Sequence, residues 1–134
     1  MIQLIIGKKG SGKTKVLLDE VGKALDKSNG NVIFIDNSDQ HTFKVDHRVR
    51  LINALSYSVN NCDRFQGFIA GILAGNYDIT DIYVDAILRI VGRDYDCLGK
   101  MFNEIDKIAQ DVKICFTVSA DENDLPESVT KFIA

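Results

Sequence analysis

Eight consecutive residues carry the plainest chemistry in this sequence: Gly7-Lys8-Lys9-Gly10-Ser11-Gly12-Lys13-Thr14. They fit G-x-x-x-x-G-K-[ST] at every fixed position, a pattern that cradles phosphate groups. Glycines let the backbone turn tightly and bring successive N–H groups against phosphate oxygens. Lys13 is placed to reach β- and γ-phosphates, and the Thr14 hydroxyl to take one position around Mg²⁺. The expected ligand is a nucleoside triphosphate, ATP, with Mg²⁺. The bland alternative is a glycine turn that happens to carry a lysine.

A second set of polar residues stands at the ends of apolar runs. Asp85 closes Asp81-Ile82-Tyr83-Val84 and is the expected metal carboxylate, acting directly or through water. Asp36 closes Val32-Ile33-Phe34-Ile35 and either positions a water or substrate hydroxyl or simply holds a turn. Thr117 and Ser119 end Lys113-Ile114-Cys115-Phe116-Thr117-Val118-Ser119 on one face, opposite Val118, where a hydroxyl could sense a γ-phosphate or only satisfy a strand end. His41 and His47 could serve acid–base chemistry, although a loop histidine is more often solvated. The residue after Asp85 is Ala86, where ATP-hydrolysing proteins often hold a water-orienting glutamate, and no arginine is marked by the sequence as a charge-stabilising finger.

These groups need elements to hold them. Ile2-Gln3-Leu4-Ile5-Ile6 reads as a buried strand leading into the glycine loop. A helix over Gly12 to Asp26 follows, with Leu17, Leu18, Val21 and Leu25 on one side, its positive dipole end aimed at the loop. Lys27 to Asn31 is a turn, and the Val32–Ile35 run is a strand of a sheet covered on both faces. Asn37 to Asp46 reads as the longest irregular loop, and Arg48 to Ala54 as a weak strand.

Ser56 to Asp63 supplies helix-start residues for a stripe of Phe65, Phe68, Ile69, Ile72 and Leu73. The same helix carries Gly67, Gly71 and Gly75, each costing about 1 kcal/mol relative to alanine. Close approach of a neighbour would offset that: the chain's own sheet in the favoured reading, or a second copy or protein partner otherwise. A strand over Asp81 to Ala86, a helix lined by Leu98, Met101, Phe102, Ile105, Ile108 and Ala109, and a short helix opened by Leu125-Pro126-Glu127 complete the pattern. Strand and helix alternate throughout. That predicts one domain over residues 1–134: a three-layer α-β-α fold with an open, mostly parallel sheet of four to five strands.

Composition bounds the setting. The 134 residues carry a formal charge of −3, with 46% hydrophobic and 26% charged residues, which argues against a broad nucleic-acid footprint. His47-Arg48-Val49-Arg50 is the one local basic candidate, and a mixed surface loop or strand end reads better there. Cys62, Cys97 and Cys115 are far apart and odd in number, so neither a zinc site nor a disulfide framework is evident, as expected in a reducing cytoplasm. The expectation is a cytoplasmic chain without signal peptide or membrane span.

Taken together, the loop, the Asp85 strand and the alternation resemble the P-loop NTPase superfamily across nearly the whole chain. That resemblance implies a RecA-like or related core, with Gly7–Thr14 as Walker A and Asp85 as Walker B. More narrowly, Met1 to Thr14, Asn31 to Asp36 and Val118-Ser119-Ala120-Asp121 look like a group of small uncharacterised bacterial ATP-binding proteins, some labelled twitching-motility ATPases; the chain is too short for the two-domain pilus motor and lacks its acidic and histidine boxes. The core of type II thymidine kinases is similar in layout, but those enzymes follow the aspartate with a catalytic glutamate and add a zinc-bound cysteine module. Lys8 falls where the deviant Walker A ATPases carry their extra lysine, while Lys9 replaces one of their glycines and no Asp-x-x-Gly follows Asp85. Three activities follow as expectations: ATP binding with slow or partner-activated hydrolysis, γ-phosphoryl transfer to a small molecule, and nucleotide-controlled interaction with a partner.

Overall fold

The run Ile114-Cys115-Phe116-Thr117-Val118 is buried residue after residue, which only a strand inside a sheet covered on both faces can achieve. The computed structural model describes residues 1–38 and 45–133 and places that strand second in the sheet. In chain order the elements are β1 (Ile2–Gly7), α1 (Lys13–Lys27), β2 (Asn31–Asp36), β3 (Arg50–Asn53), α2 (Cys62–Gly75), β4 (Ile79–Val84), α3 (Ile87–Val91), α4 (Tyr95–Ile108), β5 (Lys113–Ser119) and α5 (Glu127–Thr130). Spatially the strands run β1-β5-β4-β2-β3, and every pairing is parallel. The coarse expectation of an α/β sheet flanked by helices therefore holds, with five strands among the described residues.

Alternation along each strand sorts side chains into two cores. On one face Val32, Phe34, Tyr83 and Cys115 pack under Leu17, Val21 and Ala24 of α1. On the other, Ile33, Ile35, Ile82, Val84 and Phe116 meet Phe65 and Ile69 of α2 and Leu98, Met101, Phe102 and Ile105 of α4. Phe116 sits between two rings, with centroids 6.0 Å from Phe65 and 4.8 Å from Phe102. Such tilted pairs add about 0.5–1.5 kcal/mol each beyond the area they bury. The weak strand is real: Leu51 and Ile52 pair with Phe34 and Ile35.

Helix ends follow the local residue chemistry. Asn61 caps α2 through the Arg64 amide, and Asp94 caps α4 through the Cys97 amide at 3.1 Å. Pro126 precedes α5, where its missing N–H costs nothing. The strand expected over Asp81 to Ala86 lies two residues earlier, because Ala86 takes a left-handed conformation (φ 55°) and ends it. The five-residue α3 went unread, since Ile87, Leu88, Ile90 and Val91 are all buried and Arg89 alone faces out, too little for a 3.6-residue period to show.

Two expectations are overturned. Gly67, Gly71 and Gly75 face outward, and a Cβ built on any of them meets no atom within 4 Å, so the chain's own sheet does not approach them. Close packing occurs instead at Gly99 of α4, where an added Cβ would collide with the Ser128 Oγ. Cys62 and Cys97, read as unpaired, form a disulfide between the first turns of α2 and α4, their Cα atoms 6.4 Å apart. Two packed helix starts bring together residues separated by 35 positions, which spacing alone does not reveal. That pairing removes the cysteine argument for a reducing compartment. Cys115 is buried and free. Among the described residues no helix is long and apolar enough to cross a membrane.

Candidate functional site

Register builds the site at the carboxyl ends of the strands. Pairing of β1 with β5 sets Gly7 opposite Ser119, and pairing of β4 with β5 sets Val84 opposite Phe116. The next residues on those two strands, Asp85 and Thr117, then stand side by side, with the loop after β1 on their flank. Ligands of open α/β sheets lie in this position.

The loop is shaped by its glycines. A Cβ on Gly7 would lie 2.5 Å from the Ser11 Oγ, so a larger residue there would turn that hydroxyl out of its position. Gly10 and Gly12 hold φ of 84° and 87°, the left-handed region that other residues enter at a cost. The Ser11 amide donates to the Lys8 carbonyl at 3.1 Å, closing the turn, and Val16 donates to Gly12 at 3.2 Å as α1 begins. Gly12 is the helix's N-cap and offers no side-chain cap, so the positive end of α1 faces the loop without an internal acceptor.

Lys13 is the buried cation of the site, 8% exposed. Its Nζ donates to the Lys8 carbonyl at 2.8 Å and reaches the Ser11 Oγ at 3.4 Å. Burial pushes its ammonium below the ordinary lysine range, while the Asp85 carboxylate pulls the other way. The Thr14 hydroxyl lies 3.1 and 3.2 Å from the two oxygens of Asp85. On the other side the Thr117 Oγ1 donates to Asp85 Oδ1 at 2.7 Å and accepts the Ala86 amide at 2.6 Å. Asp85 itself is 2% exposed, and its backbone N–H is tied to the Ile35 carbonyl. Its carboxylate is therefore aimed by two hydroxyls rather than left to rotate.

A cavity of about 340 Å³ opens between these groups, lined by Gly10, Gly12, Lys13 and Thr14 on one side and by Asp85 and Thr117 on the other. Lys9 and Arg89 also border it, so three cations face one carboxylate. That balance suits a polyanion. Among the described residues no group of three or more His, Cys, Asp or Glu side chains could enclose a metal by itself. One hydroxyl and one carboxylate are nevertheless a fitting donor pair for Mg²⁺, which keeps several waters and usually takes its remaining oxygens from phosphates.

The structure brings together Gly7 to Thr14, Asp85, Thr117 and Ser119. It does not bring in Asp36, whose buried carboxylate accepts the Asn37 amide at 2.7 Å and the Ser38 hydroxyl at 3.2 Å, as a turn aspartate does. His47 is exposed beside Asp46, which also holds Arg48 at 3.0 Å, so the local basic stretch is a partly neutralised surface segment. His41 and most of the expected covering loop fall in residues 39–44, outside the described residues. The sequence reading missed Arg89, the third residue of the unread α3, and Arg93, four residues further along. An arginine pair spaced i, i+4 just after Asp85 was the available signal. No protein-family model matches this chain, and no curated protein matches it, so the chemistry rests on the geometry of the site itself.

Proposed function

We propose that this chain is a P-loop protein with a RecA-like core that binds ATP with Mg²⁺ and hydrolyses it slowly, or only when a partner completes the site. One observation carries the reading: the Thr14 hydroxyl at the start of α1 stands 3.1 Å from the Asp85 carboxylate at the end of β4, with Lys13 beside them. Loop and carboxylate are 71 residues apart in sequence, and a fortuitous glycine turn gives no reason for them to meet. In the proposed complex, loop amides and Lys13 bind the phosphates, while Thr14 and Asp85 hold the metal, which would neutralise charge on the β- and γ-phosphates. Thr117 keeps the carboxylate oriented.

The limit on hydrolysis also comes from residues. Position 86 is alanine, its amide committed to Thr117, and Asp85 is the only carboxylate bordering the cavity among the described residues. Among the described residues no second acid borders the cavity to orient an attacking water. The reading puts the chain in the cytoplasm, where nucleoside triphosphates are abundant. Isothermal titration with ATP and Mg²⁺ tests binding, and phosphate release tests turnover. Binding with very slow release is the expected result; absence of any heat with ATP and Mg²⁺ for the wild-type chain overturns the reading.

A further inference from the structure

Beyond the nucleotide cavity lies a second one of about 250 Å³, joined to it along Lys9, Ala86, Arg89 and Ser119, which border both. Its polar lining is Lys9 from the loop, Arg89 from α3, Arg93 just after α3, and Ser119 at the end of β5. No carboxylate borders it among the described residues. Elsewhere on the surface Lys23, Arg48, Lys107 and Lys113 each stand within 3.7 Å of an acidic side chain. Lys9, Arg89 and Arg93 have no such neighbour among the described residues, and they differ from other surface cations such as Lys15, Lys27 and Lys100 in sharing one concavity.

Arg93 is also held in place. Its Nη1 lies 3.3 Å from the Ser119 carbonyl and 3.4 Å from the Tyr95 hydroxyl, leaving Nη2 and Nε for another acceptor. Asp94, the nearest acid in sequence, is occupied in capping α4. Two guanidinium forks and an ammonium around a concavity of this size match a small, multiply charged oxyanion, since planar forks pair with phosphate or carboxylate oxygens through parallel N–H bonds. The two cavities adjoin: Lys9 and Arg89 border both, Lys13, Thr14 and Asp85 border only the first, and Arg93 borders only the second.

We infer that Lys9, Arg89 and Arg93 form a subsite for a second, anionic small molecule bearing a phosphate or carboxylate group, bound next to the phosphate end of the nucleotide. The inference rests on the nucleotide reading for its geometry, since it is the triphosphate that makes the neighbouring cavity a second place rather than the first. Such a ligand is positioned as a phosphoryl acceptor or as an effector that completes the incomplete hydrolytic site.

The test uses the full chain with Mg²⁺ and the non-hydrolysable β,γ-imido analogue of ATP at saturation, into which inorganic phosphate, and separately citrate, is titrated. One phosphate per chain should bind. Arg93→Ala, which touches only the second cavity, should weaken it about tenfold, the loss of one charge-assisted contact, while leaving the analogue bound, and Arg89→Ala, at the border of both cavities, should weaken phosphate by a similar factor and the analogue as well. A stronger response to citrate than to phosphate assigns a carboxylate ligand, and the reverse a phosphate ligand. Phosphate that binds with ADP present but is excluded by the imido analogue overturns the inference, because the three cations would then serve the γ-phosphate. Binding unmoved by either arginine replacement, or no binding of either anion, overturns it as well. If the analogue itself does not bind, the nucleotide reading fails on its own; phosphate titrated into the nucleotide-free chain then separates a component lost in Lys13→Ala from one lost in Arg93→Ala, and only the latter supports the subsite.

Discussion

The two ends of the sheet carry cavities whose charges are paired to different degrees. At the amino ends of the strands, beside the last turns of α1, lies a cavity of about 440 Å³, larger than the one at the glycine loop. Most of its charges are spent on one another, Lys27 excepted: Lys113 and Lys23 stand 3.4 and 3.7 Å from Glu20, and the Tyr83 hydroxyl donates to Asp81 at 3.1 Å. Lys113 also lies over the Tyr83 ring, 5.8 Å from its centre. At the carboxyl ends the smaller cavity gathers Lys9, Lys13 and Arg89 against a single carboxylate. Volume does not mark the site; unbalanced charge beside open backbone amides does.

Replacing a cation at each end should separate them most sharply. Lys13→Ala removes the buried ammonium of the loop and should weaken ATP binding by about ten- to a hundredfold, the worth of hydrogen bonds to a charged group. Lys113→Ala removes a cation of the larger cavity and should leave ATP affinity unchanged. Equal losses in the two variants, measured by calorimetry, would break the comparison. Next in size comes Asp85→Asn, which keeps the shape but not the charge. It should lower affinity about tenfold when Mg²⁺ is present and hardly at all in its absence. Affinity that stays Mg²⁺-dependent in that variant would remove Asp85 from the metal role.

Thr117→Val examines the support rather than the contact. The hydroxyl donates to Asp85 and accepts the Ala86 amide, and valine of similar shape does neither. Leaving a buried N–H without an acceptor should cost about 1–3 kcal/mol of stability. Urea unfolding reads this directly, and a variant as stable as wild type would show that Thr117 merely fills space.

The loop was legible because its chemistry is local. Glycines at positive φ, a lysine and a hydroxyl in fixed succession can do their work within eight residues, and the flanking strand and helix carry their own periodicities. Asp85 and Thr117 were legible as strand-end residues, but not as partners, because which strands are neighbours is decided by packing far from either. The same limit hid the Cys62–Cys97 pair, which depends on how α2 and α4 start against each other. Gly67, Gly71 and Gly75 misled for the opposite reason: spacing implied a contact, and the helix turned that face outward. Arg89 and Arg93 were hidden because α3, five residues long with four of them apolar and buried, is too short to show a helical stripe.

The smallest expected effect contrasts the ends by pH. Desolvation holds the Lys13 pKa below its ordinary 10.5, so the folded chain gives up that proton before the unfolded chain does. Between the folded value and 10.5 the unfolded state binds more protons, and stability rises with pH across that window. Tyr83 behaves in reverse. Burial first, then Asp81, raises its phenol pKa above the ordinary 10.0, so the folded chain keeps a proton that the unfolded chain loses, and stability falls as pH climbs past 10.0. Lys13→Met should therefore flatten the rising part of the stability profile and leave the fall, whereas Tyr83→Phe should soften the fall and leave the rise. Urea midpoints followed from about pH 8 to 11, which takes in the ordinary lysine and tyrosine values, decide it. A Lys13→Met profile parallel to wild type would mean that the loop lysine is as well solvated as any on the surface, and the contrast between a poised end and a neutralised end would lose its energetic basis.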